Sequence, residues 1–213
     1  MPEPWEVWEA RFEAFLGRGT HSADPAHDPS HIRRVVASAK ALARDEGADL
    51  AVVIPAAWLH DCVAVAKDSP DRPRASRLAA AEAVRFLGSV GYPDEHFEAI
   101  GHAIEAHSFS AGIPPRTLEA RVVQDADRLD ALGAIGIARC LMLGGHFQRP
   151  LYDPSEPIPE QRQADDSTYV LDHFYVKLFQ LPGTLHTEAG RREGERRVAF
   201  MRTYVEQLSR ELG

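Results

Sequence analysis

Residues 50–61 read Leu-Ala-Val-Val-Ile-Pro-Ala-Ala-Trp-Leu-His-Asp, an almost wholly apolar run that ends in a histidine and an aspartate. A run of this kind favours a helix that is buried on all sides. Pro55 suits the first turn of a helix better than its interior, so we expect the main part of this helix to start near Ile54. His60 and Asp61 then follow directly after a buried helix. An ionised carboxylate in that place is costly unless a cation or hydrogen-bond donors compensate it.

Apolar residues recur at helical spacing along nearly the whole chain. Steps of three and four residues predict a helix from Trp5 to Leu16, and a second helix, capped by Ser30, that ends before Gly47. The same spacing predicts helices over residues 75–90, 94–106, 118–143, 169–179 and 188–212. The sequence shows no convincing alternating strand and no repeat of fixed period. The predicted fold class is therefore all-α.

The stretch from Gly144 to Ser167 interrupts this helical pattern with four prolines and many polar residues. It is long for a connection inside a compact domain, which leaves open an insertion, a lid or a contact between subunits. We expect a single domain over residues 1–213. Its core would lie at about 20–143, the insertion or lid at 144–167, and C-terminal helices at 168–213 would pack on the core.

The charge and composition exclude several classes of protein. The 213 residues carry 32 acidic and 24 basic side chains, a formal net charge of −8, which disfavours a nucleic-acid polymer or anionic lipid as partner. No run of 18 apolar residues and no basic start followed by an apolar core is present, so neither a membrane span nor a secretion signal is expected. Cys62 and Cys140 are typical of buried free thiols. Together these features predict a cytoplasmic globular protein and leave homo-oligomer formation open.

Two further polar groups are compatible with the His-Asp pair as ligands of one metal ion. His31 stands near the start of the predicted second helix. Asp125, Asp127 and Asp130 lie in an otherwise apolar helical stretch, in which Asp127 and Asp130 would share a face and Asp125 would point elsewhere. Carboxylates this close repel each other unless a cation or an arginine neutralises them. A cation held by two imidazoles and two carboxylates satisfies all these groups, and such mixed ligands suit Mn, Fe, Co, Ni or Zn.

The order His31, then His60-Asp61, then Asp127 resembles the H…HD…D pattern of the HD-domain superfamily of metal-dependent phosphohydrolases. The flanking residues are also similar, in His31-Ile32-Arg33-Arg34-Val35, Ala57-Trp58-Leu59-His60-Asp61 and Ala126-Asp127-Arg128-Leu129. The resemblance extends over about residues 20–210, to a branch of small bacterial hydrolases that includes nucleoside-triphosphate pyrophosphohydrolases. It implies an HD-domain helical bundle with a central metal site. One divalent ion (Mn, Mg, Co, Ni, Fe or Zn) would be bound by His31, His60, Asp61 and Asp127.

A site of this type supplies metal-activated water for attack on phosphorus. Lys67, Arg72 and Arg77 follow the His-Asp pair closely and are the candidates for binding the substrate phosphate, with a solvated basic turn as the alternative. Asp68 and Asp130 are candidates for orienting the attacking water. The expected catalytic residues are Asp61, Lys67, Asp68, His107 and Asp130.

Three histidines have roles that the sequence leaves open. His107 could donate a proton to the leaving group or bind a second metal. A separation of five residues turns His107 about 140° away from His102 around a helix, so the paired histidines of dinuclear HD relatives look absent. One metal is therefore predicted. His27 is near His31 in sequence, but Asp28 and Pro29 indicate a turn there.

The predicted function is hydrolysis of a phosphoester or phosphoanhydride bond in a nucleotide or a similar small phosphorylated molecule. Pyrophosphate release from a nucleoside triphosphate, phosphomonoester cleavage and cyclic phosphodiester cleavage remain alternatives, because no residue marks a base pocket. A non-catalytic regulatory module that binds metal and nucleotide is the alternative from another class. A closed structural metal site fits less well, because the predicted ligands include no thiolate.

Overall fold

The structure is a computed structural model that describes residues 4–17, 29–63, 65, 69, 72–108 and 111–212. Its α-helices are α1 (Trp5–Leu16), α2 (Pro29–Glu46), α3 (Leu50–Leu59), α4 (Ala75–Ser89), α5 (Phe97–His107), α6 (Leu118–Leu129), α7 (Gly133–His146), α8 (Asp172–Val176) and α9 (Glu188–Leu212). Short 3₁₀ helices cover Arg72–Arg74, Asp94–His96 and Leu178–Thr184. Within the described ranges there is no β-strand, and the predicted all-α class is confirmed. None of the helices described is both long and apolar enough to cross a membrane.

The chain divides into two compact units, Met1–Asp127 and Arg128–Gly213. In the first unit α3 contacts α1, α2, α4 and α5. Every α3 residue from Val52 to Leu59 is buried. A helix that is apolar on all sides is stable in water only when other helices surround it, and the first unit provides that surrounding. The expectation of a single domain stays a prediction.

α3 begins at Leu50, well before the start expected near Ile54, and Pro55 lies inside it. The Asp49 carboxylate caps the helix by accepting a hydrogen bond from the Ala51 N–H at 2.8 Å. Proline has no N–H to donate to the carbonyl four residues earlier, which here is that of Ala51. The Tyr92 hydroxyl donates to this carbonyl instead, at 2.7 Å. A side chain distant in sequence therefore compensates for the interior proline.

α1 contacts both of the helices that carry the predicted histidine ligands His31 and His60. Its Glu9 carboxylate accepts a hydrogen bond from the Trp58 indole N–H of α3 at 3.0 Å. The same carboxylate forms an ion pair with Lys40 of α2. A single acidic side chain thus connects α1 to both α2 and α3.

Several helix ends differ from those expected. α2 begins at Pro29, a residue that fits the first helical position, so Ser30 lies inside the helix rather than capping it. α5 includes His107, one residue beyond the expected end. The helix expected over residues 169–179 is the short α8 followed by a 3₁₀ helix.

The single helix expected over residues 118–143 is wrong, because the structure has two helices, α6 and α7, with a break at residues 130–132. Gly133 has a φ of +71°, a conformation that residues with a side chain rarely adopt. Arg197 of α9 donates to the Leu129 carbonyl at the end of α6, at 2.6 Å, and so satisfies a terminal acceptor. Asp130 therefore lies beyond α6, and the helical face predicted to join it to Asp127 does not exist.

The proline-rich segment from Gly144 to Ser167 starts with the end of α7 and continues as a loop with many internal hydrogen bonds. The Glu156 carboxylate accepts hydrogen bonds from the backbone N–H groups of residues 160–162, at 2.9, 2.6 and 3.2 Å. Arg162 forms an ion pair with Asp172, whose side chain is fully buried. The loop therefore has a defined internal structure, and its role as a lid or a subunit contact stays a prediction.

Candidate metal centre

Five of the predicted site residues meet within the first unit. His31 comes from α2, His60 and Asp61 from the end of α3, His107 from the last turn of α5 and Asp127 from the last turn of α6. Two groups of ligand atoms result, one formed by His31, His60 and Asp127, the other by His60, Asp61 and His107. Within each group the candidate atoms lie within 4.8 Å of one another. These residues therefore form one continuous His/Asp cluster that could hold a metal ion.

The separations within the cluster match those of ligands around a shared cation. His31 Nε2 lies 3.4 Å from Asp127 Oδ1. His60 Nε2 lies 3.6 Å from Asp61 Oδ2 and 3.9 Å from Asp127 Oδ1. Two atoms bound at about 2.1 Å to one tetrahedral ion are about 3.4 Å apart. The two His60 separations are also too long for direct hydrogen bonds.

His60 provides the sharpest test of whether the cluster fits a cation. Its Nδ1 contacts the Ala57 carbonyl at 2.8 Å, and since a carbonyl only accepts, Nδ1 carries the proton. Burial lowers the pKa of His60, despite the opposing charges of Asp61 and Asp127, and therefore keeps the ring neutral. Nε2 then carries a lone pair, and this nitrogen is fully buried and has no hydrogen-bond partner. A cation would satisfy this lone pair, whereas the nearby carboxylate oxygens cannot.

The cluster is closed on its histidine side and open on its carboxylate side. His31, His60 and His107 have exposed fractions of 2%, 0% and 6%. The Asp61 and Asp127 side chains have exposed fractions of 28% and 30%. A structural metal site encloses its ion, whereas a catalytic site keeps a position for water or substrate. The partial exposure of both carboxylates fits the second kind of site.

His107 is held in the cluster by contacts at both ring nitrogens. Its Nδ1 donates to the Ile104 carbonyl at 2.6 Å, and its Nε2 lies 3.5 Å from Asp61 Oδ1. Burial by itself lowers the pKa of His107, but the hydrogen bond and negative charge of Asp61, with a smaller effect of Asp127, raise it overall. Asp61 thus presents one oxygen to His60 and the other to His107.

The geometry favours one cation over two. His60 Nε2 belongs to both ligand groups, but a neutral imidazole nitrogen has one lone pair and binds one cation. His102 does not face the cluster as a paired histidine ligand would, because its Nε2 accepts a hydrogen bond from the Arg116 N–H at 3.0 Å. The count of one metal ion stays a prediction.

The remaining predicted site residues are not among those that the structure brings together in the cluster. Asp130 belongs to the second unit, where its carboxylate pairs with Arg139. Arg77 is exposed in the first turn of α4. The other predicted residues, Lys67, Asp68 and His27, and the Arg72 side chain lie outside the described residues, so the phosphate-binding role of this basic group stays a prediction.

Neither cysteine belongs to the His/Asp cluster. Burial raises the pKa of the Cys62 thiol to about 12 and that of the Cys140 thiol to about 11, so both remain protonated at neutral pH. Cys62 Sγ donates to the Ala79 carbonyl at 3.4 Å. The metal-competent groups of the cluster are therefore imidazoles and carboxylates.

Sequence reasoning did not single out Gln124, whose buried amide donates to the Ala106 carbonyl at 2.6 Å. A signal was present, because Gln124 is an uncharged polar residue three positions before Asp127 and directly after the apolar pair Val122 and Val123.

Comparisons with known proteins identify the family of this chain. The family model of the HD domain matches residues 30–132, a range that contains all five clustered residues. YpgQ of Bacillus subtilis, an uncharacterized protein, is 34% identical over 190 residues, which cover 87% of this chain and 84% of YpgQ.

Solved structures give the same result. The crystal structure of B. subtilis YpgQ in complex with ADP has 32% sequence identity, covers 97% of this chain and 93% of its own, and has a TM-score of 0.72. An HD-superfamily hydrolase from Bacillus thuringiensis has 33% identity, covers 97% of both chains and has a TM-score of 0.73. The chain therefore belongs to the HD-domain superfamily and is, at the general level, one of its hydrolases.

Proposed function

We propose that this protein is a metal-dependent phosphohydrolase that cleaves a phosphoester or phosphoanhydride bond of a nucleotide. One divalent ion is held by His31, His60, Asp61 and Asp127. The observation that carries this proposal is the buried, unpartnered Nε2 of His60, which lies near two partly exposed carboxylates. Neutral imidazoles and ionised carboxylates are the donors that a divalent transition metal prefers.

Each residue of the cluster has a role in this proposal. A cation held by these residues would supply Lewis-acid chemistry, which polarises a phosphoryl oxygen and makes water a better nucleophile at neutral pH. Asp61 and Asp127, the partly exposed ligands, border the side from which substrate and water enter. His107 serves as the proton donor to the leaving group, since the charge of Asp61 favours its protonated form.

A nucleotide is the proposed substrate class because the related YpgQ has a structure in complex with ADP. Lys67, Arg72 and Arg77 are proposed to bind its phosphates, since cations next to the metal would stabilise charge on the transferred group. Asp68 and Asp130 are proposed to orient water; the pairing of Asp130 with Arg139 gives that carboxylate a competing structural role. We place the reaction in the cytoplasm, because two unpaired thiols in an acidic chain suit a reducing compartment.

Pyrophosphate release from a nucleoside triphosphate is the first candidate reaction, because the sequence resembles a branch with that activity. Cleavage of a phosphomonoester gives inorganic phosphate instead, and cleavage of a cyclic phosphodiester gives neither product. Measuring phosphate, pyrophosphate and nucleotide products together therefore separates the three reactions.

The test uses metal-stripped protein with Mn, Mg, Co, Ni, Fe or Zn added singly, and a panel of nucleoside tri-, di- and monophosphates and cyclic nucleotides. Asp61→Asn removes a ligand charge at constant shape, and Asp94→Asn makes the same change at an exposed carboxylate in a 3₁₀ helix. We expect metal-dependent turnover in the wild type and in Asp94→Asn, with a loss in Asp61→Asn. Metal and nucleotide binding without product would favour the regulatory module, and absence of metal binding would contradict the proposal.

A further inference from the structure

The last turn of α5 carries His107, and the backbone carbonyls of this turn need hydrogen-bond partners. The final four carbonyls of an α-helix have no partner within the helix. Two of these carbonyls in α5 are satisfied by buried side chains. Ile104 accepts a hydrogen bond from His107 Nδ1, and Ala106 accepts one from Gln124 Nε2, each at 2.6 Å. The end of α5 is therefore stabilised by the ring of His107 itself and by a residue of another helix.

Gln124 connects this turn to α6. Its side chain is buried, with an exposed fraction of 3%. It lies three residues before Asp127, so the two side chains share a side of α6. The hydrogen bond from Gln124 to Ala106 thus joins the residue next to His107 to the helix that carries Asp127.

We propose that Gln124 is a positioning residue that sets the place of His107 against Asp61. The inference rests on the proposed function. Asp61 Oδ1 lies 3.5 Å from His107 Nε2, while Oδ2 faces His60. Fraying of the last turn of α5 would withdraw the imidazole from Asp61 and remove one of the contacts that orient this carboxylate. Residues that orient a ligand typically change metal affinity by about 10- to 100-fold when they are removed.

The test replaces the amide while keeping the volume of the side chain. Gln124→Met is unbranched and of similar length, but it cannot donate a hydrogen bond. Gln124→Asn keeps the amide and is one methylene too short to reach Ala106, so it serves as a second variant. Ser89→Ala is the control, because it removes another hydrogen bond from a side chain to a backbone carbonyl in the last turn of a helix of the same unit, at Phe86 of α4.

Two measurements are made on metal-stripped and Mn²⁺-titrated protein. Backbone amide hydrogen exchange follows Ile104 to His107, and calorimetric titration gives the Mn²⁺ dissociation constant. We expect Gln124→Met and Gln124→Asn to exchange faster in this turn and to bind Mn²⁺ about 10-fold or more weakly. Ser89→Ala should leave both quantities unchanged. In a His107→Ala background, Gln124→Met should weaken Mn²⁺ binding no further, because Gln124 acts through His107.

Unchanged exchange and an unchanged Mn²⁺ dissociation constant in folded Gln124→Met would overturn the inference. Equal weakening of Mn²⁺ binding in Ser89→Ala would overturn it as well, because the effect would then not depend on the end of α5. If the wild type binds no Mn²⁺, the proposed metal site is refuted, and a Gln124 role in metal binding is refuted with it. Faster exchange in the variants would then identify Gln124 as a structural residue alone.

Discussion

The Tyr92 hydroxyl donates a hydrogen bond to the Ala51 carbonyl at 2.7 Å and replaces the N–H that Pro55 lacks. Burial raises the pKa of the Tyr92 phenol, so the group remains a donor at all physiological pH values. Because α3 ends at the His60-Asp61 pair, this contact holds the beginning of the helix that presents two candidate metal ligands.

We expect Tyr92→Phe to lower the free energy of unfolding by about 1–3 kcal/mol, because a partly buried carbonyl loses its partner. Pro55→Ala restores the missing N–H. In that background, Tyr92→Phe should therefore lower the free energy of unfolding by a smaller amount. Urea unfolding of the wild type, both single variants and the double variant measures the coupling, which we expect to be about 1 kcal/mol. If the changes in unfolding free energy of the two single variants add up to that of the double variant, Tyr92 does not compensate for Pro55.

Metal binding should stabilise the folded state. Mn²⁺ at 100 times its dissociation constant should raise the free energy of unfolding by about 2.7 kcal/mol, because the unfolded chain lacks the assembled site. Asp127→Asn removes one candidate ligand and should abolish most of this gain, whereas the exposed Asp94→Asn should keep it. Thermal unfolding of stripped protein with and without the ion provides the measurement. Identical melting temperatures with every divalent ion would contradict the metal site.

The Glu193 carboxylate should give α9 a pH-dependent stability. Hydrogen bonds from Arg196 and Arg197 lower its pKa from 4.5 to about 2. A lowered pKa means that the folded state holds the charged form, so this stabilisation is present above pH 4.5 and is lost as the pH falls towards 2. Glu193→Gln should therefore be less stable than the wild type at neutral pH, with a difference that vanishes over this range.

Chemical unfolding at a series of pH values measures the effect of Glu193. The exposed Glu195→Gln on the same helix is the control and should give a smaller, flat difference. Salt should weaken the Glu193 effect because the carboxylate is only partly buried. A Glu193→Gln difference that persists unchanged at pH 2 would show that the lost contact is not an ion pair.

The loop before α8 should depend on the ion pair of Arg162 and Asp172. The Asp172 side chain is fully buried and the Arg162 side chain has an exposed fraction of 17%. Arg162→Met would leave a buried carboxylate without its counter-charge, and we expect a cost of about 3–5 kcal/mol. Limited proteolysis within residues 147–171 should then become faster.

Arg149→Met is the control for this loop, because Arg149 is exposed and its contacts there are the Asp166 carbonyl, at 2.9 Å, and the exposed Phe147 ring. We expect it to change the unfolding free energy by less than about 1 kcal/mol. Equal proteolysis of both variants would mean that the Arg162 ion pair does not organise the loop.

Much of the fold could be predicted because helical periodicity is a local property of the sequence. The all-α class follows from apolar residues at steps of three and four, and the burial of α3 follows from its unbroken apolar run. Helix ends were predicted less well. Gly133 is a local signal for the break after Leu129, but the hydrogen bond from Arg197 that satisfies the Leu129 carbonyl comes from a residue 68 positions away, and no local pattern contains that contact.

The candidate site, like the fold, could be predicted only in part from the sequence. The residue types and the order of His31, His60, Asp61 and Asp127 indicate metal chemistry without any coordinates, because donor identity is written in the sequence. The contact between His107 and Asp61 could not be predicted, since it depends on how far α5 extends and on how α5 lies against α3.

The sequence by itself determined the fold class, the family resemblance and the set of metal-competent side chains, because periodicity and ligand chemistry depend on residue type and spacing. The tertiary structure alone decided which of these side chains meet, that Asp130 pairs with Arg139, and that Tyr92 and Gln124 satisfy backbone carbonyls of other helices. The physical reason is that a buried polar group must find its partner wherever the packing of helices places one, and that partner is often far away in the chain.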